Sequence, residues 1–122
     1  MRTLIVLVVG LLAAGCSKSL TEEEKQVVGE YELKKDGNTI KDVFLDNGVI
    51  EWYNIDGSKT GESKWSIVDG EIHVKSDSGG INIFRINTDK SITPIASISD
   101  GKRTDYLKEK QWTFKKSNNY IT

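Results

Sequence analysis

The chain has 122 residues, and its 17 basic and 18 acidic side chains give a formal net charge of −1. This length suits one small domain, and the basic residues are too scattered to form the positive surface that nucleic-acid binding requires. A single cysteine cannot form a disulfide within the chain, so burial and backbone hydrogen bonding must stabilise the domain.

The N-terminus has the pattern of a signal peptide. Arg2 supplies a positive start, and residues 4–14 consist only of Leu, Ile, Val, Gly and Ala. A helix needs about 20 apolar residues to span a membrane, so this run is too short for a conventional span. The sequence therefore predicts a signal peptide over residues 1–15, with cleavage between Gly15 and Cys16.

The segment Ala13-Ala14-Gly15-Cys16 resembles the bacterial lipobox, although the family more often has Leu where Ala13 stands. The resemblance implies that the thiol of Cys16 carries a thioether-linked diacylglycerol and that this lipid anchors the protein outside the cytoplasm. Two or three acyl chains on one residue would hold it firmly. The alternative is an unmodified thiol in an ordinary signal or a short buried helix.

The residue after the cysteine bears on the membrane to which the protein is anchored. Ser17 stands there instead of Asp, which resembles lipoproteins sent to the outer membrane of diderm bacteria, facing the periplasm or the surface. In a monoderm cell the same signal would leave the domain on the outer face of the plasma membrane.

Residues 16–26 are predicted to contain the lipidated cysteine, a polar tether and the start of a short helix. Thr21 and Glu24 have the spacing of a capping box, and Gly29 is a natural stop after one or two turns. The acidic run 22–24 is favourable beside the positive end of the helix dipole, which explains it without an acidic binding patch.

From Gly29 onward apolar residues alternate with polar ones, and glycine turn dipeptides recur mostly every nine to thirteen residues. Residues 27–116 are therefore predicted to form an antiparallel up-and-down meander of eight or nine short strands, followed by a polar tail at 117–122. The expected strands are 29–35, 39–46, 49–56, 62–68, 71–76, 81–88, 91–98, 102–107 and 111–116.

Two segments predict the buried face of this sheet. In the hairpin 64–75 the residues expected to point inward are Trp65, Ile67, Ile72 and Val74. In the last strand, Trp112 and Phe114 are expected to point inward.

Other strands have apolar residues on both faces. The segments 49–55 and 81–86 must bury both sides, contain bulges or expose an apolar surface, and Pro94 marks an edge or a bulge. Trp52 and Tyr53 are neighbours, so their rings face opposite ways. The more exposed ring is a possible recognition surface, unless a loop or the helix covers it.

A short helix followed by Gly29-Glu30-Tyr31 resembles the lipocalin-like barrels, whose first strand opens with Gly-x-Trp after a helical turn. The resemblance implies closure of the meander into a small barrel, with Arg85 or Arg103 packed over Tyr31. The chain is shorter than typical lipocalins. Strands of about six residues give walls near 20 Å, and eight of them enclose side chains or one small ligand.

Two alternatives to this resemblance remain open. Gly29 can simply end the helix while Tyr31 is an ordinary core aromatic. The sheet can also be an open or half-open meander, since 47–52 and 61–65 faintly resemble the hairpin repeats of MORN-type sheets.

The sequence contains no recognisable catalytic or metal-binding constellation. His73 is the only histidine, and alternation places it on the exposed face between Glu71 and Lys75. The Gly-rich run 76–80 joins two strands instead of opening a helix, so it is predicted to be a hairpin tip. We expect neither an enzyme nor a cofactor or metal.

The sequence thus favours a non-enzymatic binding module at the cell envelope, held by the lipid on Cys16. Its partner would be an envelope protein, a glycan or a small apolar molecule. The alternative, implied by the lipocalin resemblance, is a carrier of a small lipophilic ligand, with tryptophans lining an enclosed cavity.

Overall fold

A computed structural model of the protein describes residues 19–117; the predicted signal peptide, Gly15, Cys16 and residues 118–122 lie outside this part of the chain. The described part contains one α-helix, one 3₁₀ helix and nine strands. In chain order these are α1 (Glu22–Val27), β1 (Gly29–Lys35), β2 (Asn38–Phe44), β3 (Val49–Tyr53), β4 (Lys59–Val68), β5 (Glu71–Lys75), β6 (Ile81–Ile86), β7 (Ile92–Ser99), β8 (Lys102–Asp105), the 3₁₀ helix Lys108–Lys110 and β9 (Lys115–Lys116).

The nine strands form one antiparallel sheet in the order β8-β7-β6-β5-β4-β3-β2-β1-β9. Each strand from β2 to β8 pairs with the strand before it, which is the meander that the regular turns predict. Only β9 departs from this order, because it returns to pair with β1. The predicted all-β architecture is confirmed.

Three of the hairpins have two-residue type I′ turns, in which both central residues have positive φ. The first residue is an aspartate with φ between 52° and 54°, and the second is a glycine with φ between 75° and 79°. These turns are Asp36-Gly37, Asp69-Gly70 and Asp100-Gly101.

The other four hairpins have a longer turn whose last residue is left-handed. This residue donates its N–H to the carbonyl three positions earlier, as Gly48 does to Leu45 at 3.3 Å. Gly57 and Gly79 hold the same position in their turns, while Lys90 holds it between β6 and β7 with φ 74°. The Asp89 carboxylate supports that last turn by accepting the N–H of Ser91 at 3.0 Å.

The helix α1 has the predicted capping box. The Thr21 hydroxyl accepts the N–H of Glu24 at 3.1 Å, and the Glu24 carboxylate accepts the N–H of Thr21 at 2.8 Å. The helix ends at Val27, which is fully buried, and β1 begins two residues later at Gly29.

The sheet is strongly curled, and the curl brings aromatic side chains from distant strands into contact. Phe44 on β2 and Phe84 on β6 have ring centroids 6.4 Å apart, whereas four strand spacings in a flat sheet would separate them by about 19 Å. We call the side that faces this core the inner face. The core residues are Val27, Val28, Tyr31, Phe44, Ile50, Trp65, Ile72, Val74, Phe84, Ile92 and Phe114.

The prediction of a strand over residues 111–116 is wrong for most of that segment. Only Lys115–Lys116 pair with β1, and a 3₁₀ helix precedes them. Phe114 forms an isolated bridge to Ile92 on β7. Its N–H donates to the Ile92 carbonyl at 2.8 Å, and its carbonyl accepts the Ile92 N–H at 3.0 Å. Its ring is buried, as predicted.

Trp112 is not part of the buried core, contrary to the prediction. Its side chain is 42% exposed, and the ammonium of Lys35 lies 3.1 Å from the centroid of the indole ring. The alternation fails here because residues 106–113 leave the sheet.

The prediction that Pro94 marks an edge or a bulge is confirmed as a bulge. The register between β6 and β7 shifts between Ile83 and Phe84, which pair with Ala96 and Pro94 respectively, so Ile95 is the extra residue. Ile83 and Phe84 are both buried, but on opposite faces: Phe84 packs in the core and Ile83 faces away from it.

Replacement of Phe114 by alanine should lower the free energy of unfolding by about 3–5 kcal/mol, because it removes a buried ring that packs against Phe84. Trp112→Ala is the matched control and should cost less than about 1.5 kcal/mol, since it removes a half-exposed ring and one cation–π contact. Chemical denaturation of both variants would measure this difference. Equal losses would contradict the burial assigned to the two rings.

Candidate functional site

One end of the curled sheet is covered by α1; we call it the helix end, and the other the open end. The ammonium of Lys90, in the turn between β6 and β7, donates to the Gln26 side chain at 3.0 Å. In the turn between β4 and β5, Gly70 lies near the Glu23 carboxylate. Val27 and Val28 add their side chains to the core from this end.

Gly29, Tyr31 and Lys116 fix the junction between α1 and the sheet. The Tyr31 hydroxyl donates to the Val27 carbonyl at 2.6 Å, and the Lys116 ammonium donates to the Gln26 carbonyl at 2.8 Å while lying 5.7 Å from the Tyr31 ring. Gly29 has φ 150°, and a Cβ there would lie 2.6 Å from Cε of Lys116. Glycine therefore serves both the backbone conformation and the close passage of the lysine.

The prediction that Arg85 or Arg103 packs over Tyr31 is wrong, since the cation above this ring is Lys116. Arg85 donates to Asn87 at 2.9 Å. Arg103 on β8 donates to the Glu71 carboxylate on β5 at 2.9 and 3.3 Å.

The Arg103–Glu71 ion pair crosses the outer face over β7 and β6, the two strands that separate the residues in the sheet. Ala96 and Ile83 are paired on these strands and are fully buried, although they face away from the core. The long arginine stem thus contributes to covering an apolar strip on the outer face.

Trp52 and Tyr53 lie on opposite faces, as their adjacency requires. Trp52 is half-buried on the inner face, packs against the core and leans over β4, where a Cβ on Gly61 would lie 3.1 Å from its ring. Tyr53 is half-buried on the outer face and donates its hydroxyl to Glu51 at 2.8 Å. This hydrogen bond, with a second from Lys59, holds the pKa of Glu51 below its usual range.

His73 lies on the outer face, where it pairs with Ser66 on β4 and Ile83 on β6. It is half-buried and lines a cleft of about 370 Å³ together with Val68 and Ile81. Val68 is 42% exposed, so this part of the outer face presents apolar surface to solvent.

A second cleft, of about 390 Å³, lies where β1 faces the returning C-terminal segment. It is lined by Glu32, Leu33, Lys34, Thr113 and Lys115. Thr113 also shares a hydrogen bond with Thr93 at 2.9 Å, which ties this segment to β7.

Asp42 is a candidate functional residue that the sequence did not predict. It lies on β2 directly opposite Tyr31 and Trp52, two residues from Phe44, and therefore on the inner face. The residue is only 5% exposed, and within residues 19–117 its carboxylate has no hydrogen bond or ion pair. Burial raises the pKa of the Asp42 carboxyl from the usual 3.8 to about 7.

The alternation of faces along β1 and β2 is enough to place Asp42 inside. Tyr31 is a predicted core aromatic, and the β1–β2 turn sets the register that puts Asp42 opposite it. The alternation in 39–44 is obscured by the neighbouring Lys41 and Val43, so the carboxylate reads as one more polar residue in a surface strand.

Residues 19–117 contain no cluster of three or more side chains suited to a metal ion, and no helix among them is long and apolar enough to cross a membrane. Neither the family models nor the curated proteins compared with this sequence give a match.

Asp42→Asn should raise the free energy of unfolding at pH 8, by at most about 4 kcal/mol, because it removes a charge that folding must bury without a partner. The gain should disappear below about pH 4, where the carboxyl is protonated in both states. It should grow between about pH 4 and pH 7, since only the unfolded chain ionises freely in that range, and then level off.

Urea denaturation as a function of pH measures this dependence. Asp77→Asn, in the exposed turn between β5 and β6, is the matched control and should change stability little at any pH. A destabilised Asp42→Asn variant at pH 8 would show that the carboxylate makes a favourable interaction in the folded protein.

Proposed function

We propose that the protein is an extracytoplasmic lipoprotein, anchored to the membrane by acyl chains on Cys16, that acts as a non-enzymatic binding module at the cell envelope. The signal-peptide pattern and the lipobox resemblance support the anchor. Leu20 already packs against the core of the domain, so the polar residues 17–19 would serve as a short tether after Cys16.

We also propose that the curled sheet is a small lipocalin-like barrel. The hydrogen bonds between Ile92 and Phe114 support this, because they join β7 to the segment that leads into β9, and β9 pairs with β1. The helix over one end, with Gly29 and Tyr31 at its junction with β1, supports the same architecture. Lys116 takes the place that the resemblance gives to an arginine.

The observation that carries the binding function is the aromatic packing at the helix end. Phe44 contacts Tyr31, Trp65 and Phe84 edge-to-face, with ring centroids 5.4 to 6.4 Å apart, and Phe84 contacts Phe114. These rings occupy the inner face there, so a partner must be bound at the outer face or at the open end. The apolar cleft beside Val68 and Ile81 is a surface suited to an envelope protein or a glycan.

One observation favours the second candidate function, a carrier of a small ligand. Ile40 lies on the inner face opposite Leu33, yet it is 42% exposed. The exposure of an inward-facing residue supports access to the inner face from the open end. A small ligand could therefore be held above the aromatic core.

Cys16→Ser tests the anchor. The wild-type protein should fractionate with membranes, and mass spectrometry of the detergent-extracted protein should show acyl chains on an N-terminal cysteine. The variant lacks the thiol that accepts the diacylglycerol, so it should lose both the acyl mass and the membrane association.

Ser17→Ala is the matched control and should keep the lipid, since it leaves the thiol in place. A wild-type protein that retains residues 1–15 and carries no acyl chain would contradict the proposed anchor. The same mass spectra would show any small molecule that co-purifies with the domain.

A further inference from the structure

Asp42 and Trp52 face each other on neighbouring strands of the inner face. They are directly paired between β2 and β3, and the next inward position toward the open end is Ile40, paired with Leu33 on β1. Asp42 therefore lies one inward position deeper than Ile40, at the floor of the inner face above the aromatic core.

Two polar groups at this floor, one on Asp42 and one on Trp52, have no hydrogen-bond partner within the described chain. The Asp42 carboxylate makes no hydrogen bond or ion pair with the described chain, and the indole N–H of Trp52 makes no hydrogen bond there either. The Tyr31 hydroxyl beside them is already committed to the Val27 carbonyl. Buried polar groups are normally satisfied, so an unpartnered carboxylate at the base of an accessible face indicates a ligand.

The surroundings define the chemistry of that ligand. An acceptor-only carboxylate requires a donor or a cation, the face of Trp52 favours a cation, and Leu33 and Ile40 provide apolar contact. The bare Cα of Gly61 lets the Trp52 ring lean over β4, away from β2. A small molecule with one positively charged nitrogen and an apolar body fits all three features.

We propose that Asp42 and Trp52 form the binding site of a small organic ammonium compound on the inner face of the sheet. This inference rests on the second candidate function, that of a carrier, and is independent of the lipid anchor. The carboxylate would pair with the ammonium group, and the apolar body would extend past Ile40 and Leu33 toward the open end.

Few charged groups compete for the carboxylate. On β1 the inner-face titratable groups are Tyr31 and Lys35, and the Lys35 ammonium lies over Trp112. Lys116 on β9 is paired with Tyr31, and its ammonium donates to the Gln26 carbonyl. Lys102 on β8 lies on the inner face at the open end, opposite Ser99. The inner positions of β3 to β7 that face Asp42 carry no ionisable side chain.

The probe for this site is 2-phenylethylammonium, and its neutral isostere 2-phenylethanol is the control ligand. Binding to the full chain in a non-ionic detergent is measured by calorimetry, and the indole N–H resonances, assigned with Trp→Phe variants, report the location. We expect one ammonium ion per chain at pH 8, a shift of the Trp52 resonance, and binding of the alcohol at least tenfold weaker.

Asp42→Asn should weaken binding of the ammonium ion at least tenfold, while Asp77→Asn should leave it unchanged. Lowering the pH from 8 to 5.5 should weaken binding at least tenfold in the wild-type protein, because the ligand stays charged while Asp42 becomes protonated. The Asp42→Asn variant should not show this pH dependence.

Three results would overturn the inference: no binding of the probe at 10 mM, equal affinity for the ammonium ion and the alcohol, or affinity unchanged in Asp42→Asn. Because the variant keeps its fold if it gains stability at pH 8, lost binding would report on the site. A failed Cys16→Ser experiment would instead remove the anchor and leave the ammonium site standing.

Discussion

The edge-to-face contacts of Phe44 are the constraint on which the architecture depends. This one ring lies on β2 and contacts Tyr31 on β1, Trp65 on β4 and Phe84 on β6. No flat or gently twisted sheet brings rings on the second and sixth strands within 7 Å of each other, so the contacts require the curl. The curl in turn brings β7 to the segment around Phe114 and gives the domain a single enclosed core without a disulfide.

Much of this fold could be predicted because its information is local. Asp-Gly pairs adopt the two positive φ angles of a type I′ turn, and three such turns set the register of β1 with β2, β4 with β5 and β7 with β8. Once the register is set, alternation assigns faces, which is why Trp65, Ile72 and Val74 are buried as predicted. The capping box of α1 is equally local.

The wrong predictions share a cause, which is dependence on contacts between residues far apart in sequence. Trp112 and Phe114 have the same alternation, yet only Phe114 meets the core, because the path of residues 106–113 is set by β7 and β1. The cation over Tyr31 is Lys116, since β9 pairs with β1 at that residue. No local pattern distinguishes Lys116 from the arginines.

The candidate functional residues also differ in whether local sequence or distant contacts determine their placement. Trp52 and Tyr53 face opposite sides because they are adjacent, so their placement needed only the strand assignment. Asp42 required knowledge of the register, of the curl and of the lack of any partner across the sheet. The last of these is a property of the whole described domain, and no pattern within β2 encodes it.

Buried polar groups have hydrogen-bond partners at the helix end of the sheet but not further along β2. At the helix end, Tyr31 and Lys116 donate to carbonyls at the end of α1, so polar groups are satisfied while apolar rings fill the space. Two strand positions further along β2, Asp42 is buried with no compensation. In a domain of about 100 residues a destabilisation of even 2 kcal/mol is a large fraction of the total stability. A charge kept at such a cost, beside an aromatic ring and below an accessible apolar pair, is better explained by something it binds than by the fold it weakens.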